Sequence, residues 1–238
     1  EAVGEAAEAT AVEQDMPATL EEIVAHRSRQ LTAYQDAAYA EKYKTLVETV
    51  RQAEANKASG MTGLPEAVAR YAYKLMAYKD EYEVARLYTD GRFDHQLQNA
   101  FQGDYKLMFH LAPPILTKIN PETGLRDKRT YGQWILGAMR VLAKLKRLRG
   151  TPFDFCGWST ERRMERALAA DYFDHMTEIV GNLNYDNHAL AIQLASVPER
   201  IRGFGHVKER HLHLALAERD ALLDTWRQPV WDAASAAE

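Results

Sequence analysis

TLEEIVAHRSRQLTAYQDAAYAEKYKTLVETVRQAEA, residues 19–55, decides the fold. Thr19 and Glu22 stand at capping-box spacing, so a helix starts at once. Leu20, Ile23, Val24, Leu31, Tyr34, Leu46, Val47 and Val50 then recur at helical intervals. Their phase drifts, which predicts a break near Tyr34–Tyr39 and hence a long, hairpin-like N-terminal arm. A linker through Gly60–Gly63 ends it.

Working outward, Pro65 opens a second helix where a missing N–H costs nothing, and the pattern carries it to about Tyr88. Its expected inner face is Val68, Tyr71, Leu75, Tyr78, Tyr82 and Ala85. Asp90-Gly91 stops it, and Phe93–Phe101 reads as a short helix. Tyr105, Leu107, Phe109 and Leu111 alternate with Lys106, Met108 and His110 at the period of a half-buried strand, which Pro113-Pro114 ends. Ile115–Ile119 and Leu125–Arg129 flank a turn and are expected to pair as a hairpin. Further helices are expected over Tyr131–Leu148, from Ser159 or Thr160 to Val180, over Asn187–Val197 and over Val207–Trp226. The predicted fold class is therefore mainly α: an irregular multi-helix domain with a long N-terminal helical arm and a small β-hairpin near 105–130.

Domain organisation follows from composition. Glu1, Glu5, Glu8, Glu13 and Asp15 with no basic partner make residues 1–16 an acidic lead-in or linker, and a chain that starts with Glu reads as an excised or processed piece. Residues 17–228 form a single helical domain, and 229–238 are a tail or linker. An apolar share of 46% across 238 residues is enough for a substantial core. A formal charge of −4, with acids and bases interspersed, offers no basic stripe for nucleic acid. No run of about 18 apolar residues is long enough for a membrane span. Cys156 is the lone cysteine, so neither an internal disulfide nor a cysteine-held cluster can form within the chain.

The chemistry concentrates in two dense runs. In Arg202-Gly203-Phe204-Gly205-His206-Val207-Lys208-Glu209-Arg210 the glycines can expose N–H groups ahead of a helix start. Arg202, His206, Lys208 and Arg210 then surround a phosphate or carboxylate. The same run also reads as a packing turn laced by ion pairs, and it matches neither phosphate-binding fingerprint. Tyr78–Tyr88 offers an interface: Tyr78, Tyr82 and Tyr88 with Lys79, Glu83 and Arg86, where Glu83 approaches Lys79 and Arg86 at spacings of four and three. His110, ahead of two prolines, is a further interface or hydrogen-bonding candidate. Asp171 and His175 share a helix face, but two ligands do not make a metal site. No catalytic residue and no metal site emerges from these patterns.

Five segments together carry a family likeness: YKDEYEVARLYTDGRF (78–93), GDYKLMFHLAPP (103–114), LAKLKRLRGTPFD (142–154), ERRMERALAADY (161–172) and IRGFGHVKER (201–210). In this order they resemble the C-terminal helical region of the fused indolepyruvate ferredoxin oxidoreductases, members of the 2-oxoacid:ferredoxin oxidoreductase family, over about Leu20–Trp226. The resemblance implies a segment of a cytoplasmic oxidoreductase that decarboxylates indolepyruvate or a related aryl 2-oxoacid, uses coenzyme A and passes electrons to ferredoxin. Thiamine diphosphate with Mg2+ and [4Fe-4S] clusters belong, by the same implication, to other regions of a homodimeric parent. This segment is then a noncatalytic interdomain piece, inactive alone, whose Arg202, His206, Lys208 and Arg210 would, by the same implication, meet coenzyme A phosphates. The competing expectation is a stand-alone helical interaction or phosphate/CoA-binding module.

Overall fold

The computed structural model describes residues 19–103, 105–112, 117, 127–203 and 205–228, with only the backbone considered at Gly205 and His206. The expected lead-in at 1–16 and tail at 229–238 lie outside the described residues, as does nearly all of the expected hairpin turn at 115–126.

The arm breaks where its periodicity drifts. Helix α1 (Leu20–Tyr34) opens on a complete capping box, Glu22 N donating to Thr19 Oγ1 (3.3 Å) and Thr19 N to Glu22 Oε2 (3.2 Å). Asp36 stops the readthrough and caps α2 (Ala37–Lys57), accepting from Tyr39 N at 2.8 Å. Gly63, at φ +112°, turns the chain into α3 (Leu64–Met76); only a glycine takes that conformation without strain, and an added Cβ would sit 3.3 Å from Ile192 Cδ1. The buried Glu54 accepts from Leu64 N (3.0 Å) and meets His188 Nε2 (2.7 Å), so one carboxylate satisfies the start of α3 and ties down the start of α8 (His188–Ser196).

These helices, with α7 (Thr160–Asn182) and α9 (Gly205–Arg227), make one bundle around a single apolar cluster. Leu31, Leu64, Val68, Ala72, Met176, Ile179, Ala191 and Ala215 are sealed from water in it. Each large aliphatic side chain so buried contributes about 1.5–3 kcal/mol. Tyrosines join the layers through their hydroxyls, Tyr43 to Ala69 O and Tyr172 to Ala195 O, both 2.9 Å.

A smaller lobe is inserted between α3 and α7. It holds α4 (Glu81–Thr89), α5 (Arg92–Ala100), strands β1 (Met108–Leu111) and β2 (Arg129–Gly132), α6 (Ile135–Lys144), a 3-10 turn at Leu145–Leu148 and another at Phe155–Trp158. Helix α6 packs along α4. The strands are antiparallel, Phe109 opposite Tyr131 and Leu111 opposite Arg129.

The main-α class with one small hairpin is as expected; three element boundaries need correction. The single helix expected from Pro65 to Tyr88 is two, because Asp80 turns its side chain back to cap α4, accepting from Glu83 N at 2.8 Å. Lys79 therefore precedes the helix and does not stand one turn from Glu83, whereas Arg86 does and is bound to it by two bonds of 2.7 and 2.8 Å. Leu111 pairs with Arg129, so β1 finds its partner beyond the expected turn. Finally Tyr131 belongs to β2, and α6 starts only at Ile135.

Candidate functional site

The two parts of the molecule are joined by charge. Asp80 accepts from Arg149 Nε (2.5 Å) and from the second guanidinium nitrogen (2.8 Å), and both side chains are 3% exposed. Arg149 also donates to Tyr34 O and lies 3.6 Å over the Tyr34 ring. Burial pulls the guanidinium toward neutrality, but Asp80 and Tyr34 outweigh it and hold Arg149 above its ordinary pKa. Lys146 donates to Ala33 O. The last-turn carbonyls of α1, which has no basic residue of its own there, are thus satisfied by cations arriving 113 and 115 residues later. The basic run Lys144–Arg149 reads in sequence as relief for its own helix end; two of its members serve another helix instead.

Beside this pair, Asp154 gathers Tyr82 Oη (3.1 Å), Gly157 N (2.9 Å), Gly150 N (2.9 Å) and Arg166 (3.4 Å). Gly157 must lack a side chain, since a Cβ would fall 2.1 Å from Asp154 Oδ2. Cys156 sits in the same turn; burial, reinforced by Glu81, Asp154 and Asp80, pushes its thiol up to about 12, which keeps it protonated and unreactive at neutral pH. Arg162 of α7 grips Glu81 of α4 through two 3.3 Å bonds. Sequence reasoning missed this junction. The signals present were the helix-start pattern at Asp80 and the Gly-Thr-Pro-Phe-Asp turn, and neither names a partner.

The residues singled out in the sequence fall in different places. Tyr78 and Tyr82 are buried within the chain. Glu83 and Arg86 pair with each other, Arg86 also reaching Asp90 (3.1 Å), while Tyr88 stacks edge-on with Phe93 and Phe109. His110 is exposed on β1, its Nδ1 3.1 Å from Thr130 Oγ1. In the Arg202–Arg210 run, Arg202 pairs with Glu199 (3.0 Å) and Lys208 with Glu165, so both cations face carboxylates of this chain. Gly203, at φ +89°, makes the turn, and a Cβ there would meet Val207 Cγ1 at 2.8 Å. Arg210 is exposed, and Gly205 starts α9. Asp171 and His175 line only a pinhole of about 40 Å³. Among the described residues no group of three His, Cys, Asp or Glu side chains is placed to hold a metal ion. Cys156, buried and alone, does not fit a cluster-ligand role either.

A cleft of about 820 Å³ opens between the bundle and the smaller lobe. Leu75 and Leu168 come from the bundle side; Val84, Ile135, Ala138, Met139 and Leu142 come from the lobe. Lys74, Lys79, Glu81, Arg162, Glu165 and Lys208 supply its charges.

Among the described residues no helix is long and apolar enough to cross a membrane. Comparison with curated proteins and with solved structures finds no match. One family profile does match, over residues 20–221, which takes in the bundle, the inserted lobe and the junction between them; the chain belongs to the family of unknown function DUF6537.

Proposed function

We propose that this chain is a noncatalytic interdomain segment of a cytoplasmic, multidomain thiamine-diphosphate and iron-sulfur enzyme. That enzyme oxidatively decarboxylates indolepyruvate or a related aryl 2-oxoacid, with coenzyme A as acyl acceptor and ferredoxin as electron acceptor. The observation that supports an interdomain role is the distribution of exposed apolar side chains. Phe101, Met108, Trp134, Val141, Phe153 and Trp158, all in the inserted lobe, stand 56–74% exposed. Large apolar side chains left in water in one lobe support the reading that another protein surface covers it. The identity of the parent rests on the ordered resemblance of the five segments above.

Such an enzyme needs its thiamine cofactor, Mg2+ and [4Fe-4S] clusters held in fixed relation, with water controlled around them. A single buried cysteine cannot ligate a cluster, so those groups belong to other domains of the same polypeptide in the proposed homodimer. This segment supplies packing surface. The coenzyme A reading of Arg202, His206, Lys208 and Arg210 loses support because Glu199 and Glu165 already pair with Arg202 and Lys208, two of those four.

The test is intact-protein mass spectrometry of the native gene product together with iron and thiamine analysis. A much larger polypeptide carrying both cofactors is expected. A native product near 27.0 kDa with neither overturns the reading in favour of a stand-alone interaction module.

A further inference from the structure

We propose that the cleft between the bundle and the inserted lobe binds a small amphipathic anion, its apolar body against α4 and α6 and its charged end at Lys74. The volume of about 820 Å³ lies in the range of small-molecule sites and far above that of a packing defect. Helix α6 explains why the wall is apolar. In ILGAMRVLAK only Arg140 and Lys144 are polar, and they stand four residues apart on one edge, leaving Ile135, Met139 and Leu142 to face the cleft. A helix this apolar is normally covered on all but one edge.

The sign of the ligand follows from how the carboxylates of the cleft are matched and what Lys74 faces. Asp80 is matched by Arg149, Glu81 by Arg162, and Glu165 by Lys208. Glu161 lies at the exposed rim, 3.9 Å from Arg162. Lys74, by contrast, donates to a neutral acceptor, the carbonyl of Glu199, at 3.0 Å. The Glu199 carboxylate that would otherwise balance it already accepts from Tyr71 (2.9 Å) and Arg202 (3.0 Å). Desolvation, and behind it the Arg202 and Lys208 charges, lowers the Lys74 pKa against the opposing pull of Glu199, as expected of a cation with cationic neighbours. An anion entering here relieves that repulsion; a cation adds to it. Both ends of the ligand are therefore specified by groups of this chain, independently of which parent enzyme carries it.

The probe is anilinonaphthalene sulfonate, an apolar body with one negative charge, titrated into the full chain by fluorescence and calorimetry. N-phenylnaphthylamine, the same body without the sulfonate, is the control. One-to-one binding is expected, with the sulfonate bound about tenfold more tightly, the worth of one charge-assisted hydrogen bond. Lys74→Gln should erase that preference while leaving the neutral probe unchanged. Ala138→Trp should fill the apolar wall and abolish binding of both, and Trp158→Ser, at an exposed residue outside the cleft lining, should change neither. Absence of binding, equal affinity for the two probes, or binding that survives Ala138→Trp overturns the proposal. If Ala138→Trp fails to fold by circular dichroism, Lys74→Gln with the two probes decides alone. Cofactor analysis of the native product reads out the parent enzyme separately, so the two conclusions can fail independently.

Discussion

The bundle and the inserted lobe are built on opposite principles. The bundle's apolar cluster runs from Ile23 to Leu223 in sequence yet takes no residue from α4, α5 or α6. Among the described residues the lobe has few buried apolar side chains, mainly Tyr78, Tyr82, Ala85, Phe109, Met139 and Cys156, and α5 has none. Its attachment to the bundle is polar: Arg149, held by Asp80, reaches Tyr34 O, Lys146 reaches Ala33 O, Asp154 meets Arg166 and Glu81 meets Arg162. A region that closes on its own oil is complete by itself. One that is pinned by buried charge and leaves Trp134, Phe153 and Trp158 in water is shaped for something else to cover.

Breaking the pinning charge should have the largest effect. Asp80→Ala strands the buried Arg149 and removes the cap of α4, with an expected cost of about 3–5 kcal/mol in a urea unfolding curve. Replacing both partners at once, Asp80→Leu with Arg149→Met, should recover most of that loss, because apolar side chains of similar volume owe no desolvation penalty. If the double replacement is as unstable as Asp80→Ala, the pair is required as a pair and the contrast between the regions is sharper than drawn here.

Leu31→Ala, fully buried in the bundle, should cost about 2–5 kcal/mol and lower protection from hydrogen exchange throughout α1 to α3 and α7 to α9. Slow exchange retained in those helices while α4 to α6 open would break the comparison, since the lobe would then depend on the bundle more than the bundle on itself.

Alkali should act at the junction. Burial raises the Cys156 thiol to about 12 and raises the Tyr34 and Tyr82 phenols above their ordinary range. The folded chain then holds protons that the unfolded chain releases, so stability present at neutral pH falls as pH climbs past about 9, the onset of ordinary thiol and phenol ionisation. Urea midpoints measured against pH should decline there, and Cys156→Ala should make the decline shallower. A flat profile would mean the junction is wetter than its packing shows.

Trp158→Ser and Phe153→Ser should change stability least, within about 0.5 kcal/mol, since both rings are already in water. Their effect belongs to association: in the native product they should weaken attachment of whatever covers the lobe, seen as faster proteolysis of the Phe155–Trp158 turn. A large loss of stability in the isolated chain would show that these rings support the lobe itself.

Much of this was legible in the sequence because it is local. The Thr19–Glu22 box, the phase drift broken at Asp36, the glycine turn at Gly63 and the Ser159 cap each depend on residues a few positions apart, and short-range hydrogen bonds and φ preferences decide them. The period-two run at Phe109 and Leu111 likewise announced a strand, though not its partner. Tertiary structure decided the rest. Asp80 reads as one acid in a charged helix until Arg149, 69 residues on, is brought against it, so that the carboxylate that caps α4 also holds a buried guanidinium. Lys146 and Arg149 read as cations at their own helix end until α1 presents two carbonyls to them. Arg202 and Lys208 read as an anion cradle or as members of ion pairs with unnamed acids until Glu199 and Glu165 are brought against them. Sequence sets which groups carry charge and where helices begin, because those are properties of neighbours along the chain. Which charges are spent on one another, and which surfaces stay uncovered, is fixed only when distant segments compete for the same partners in space.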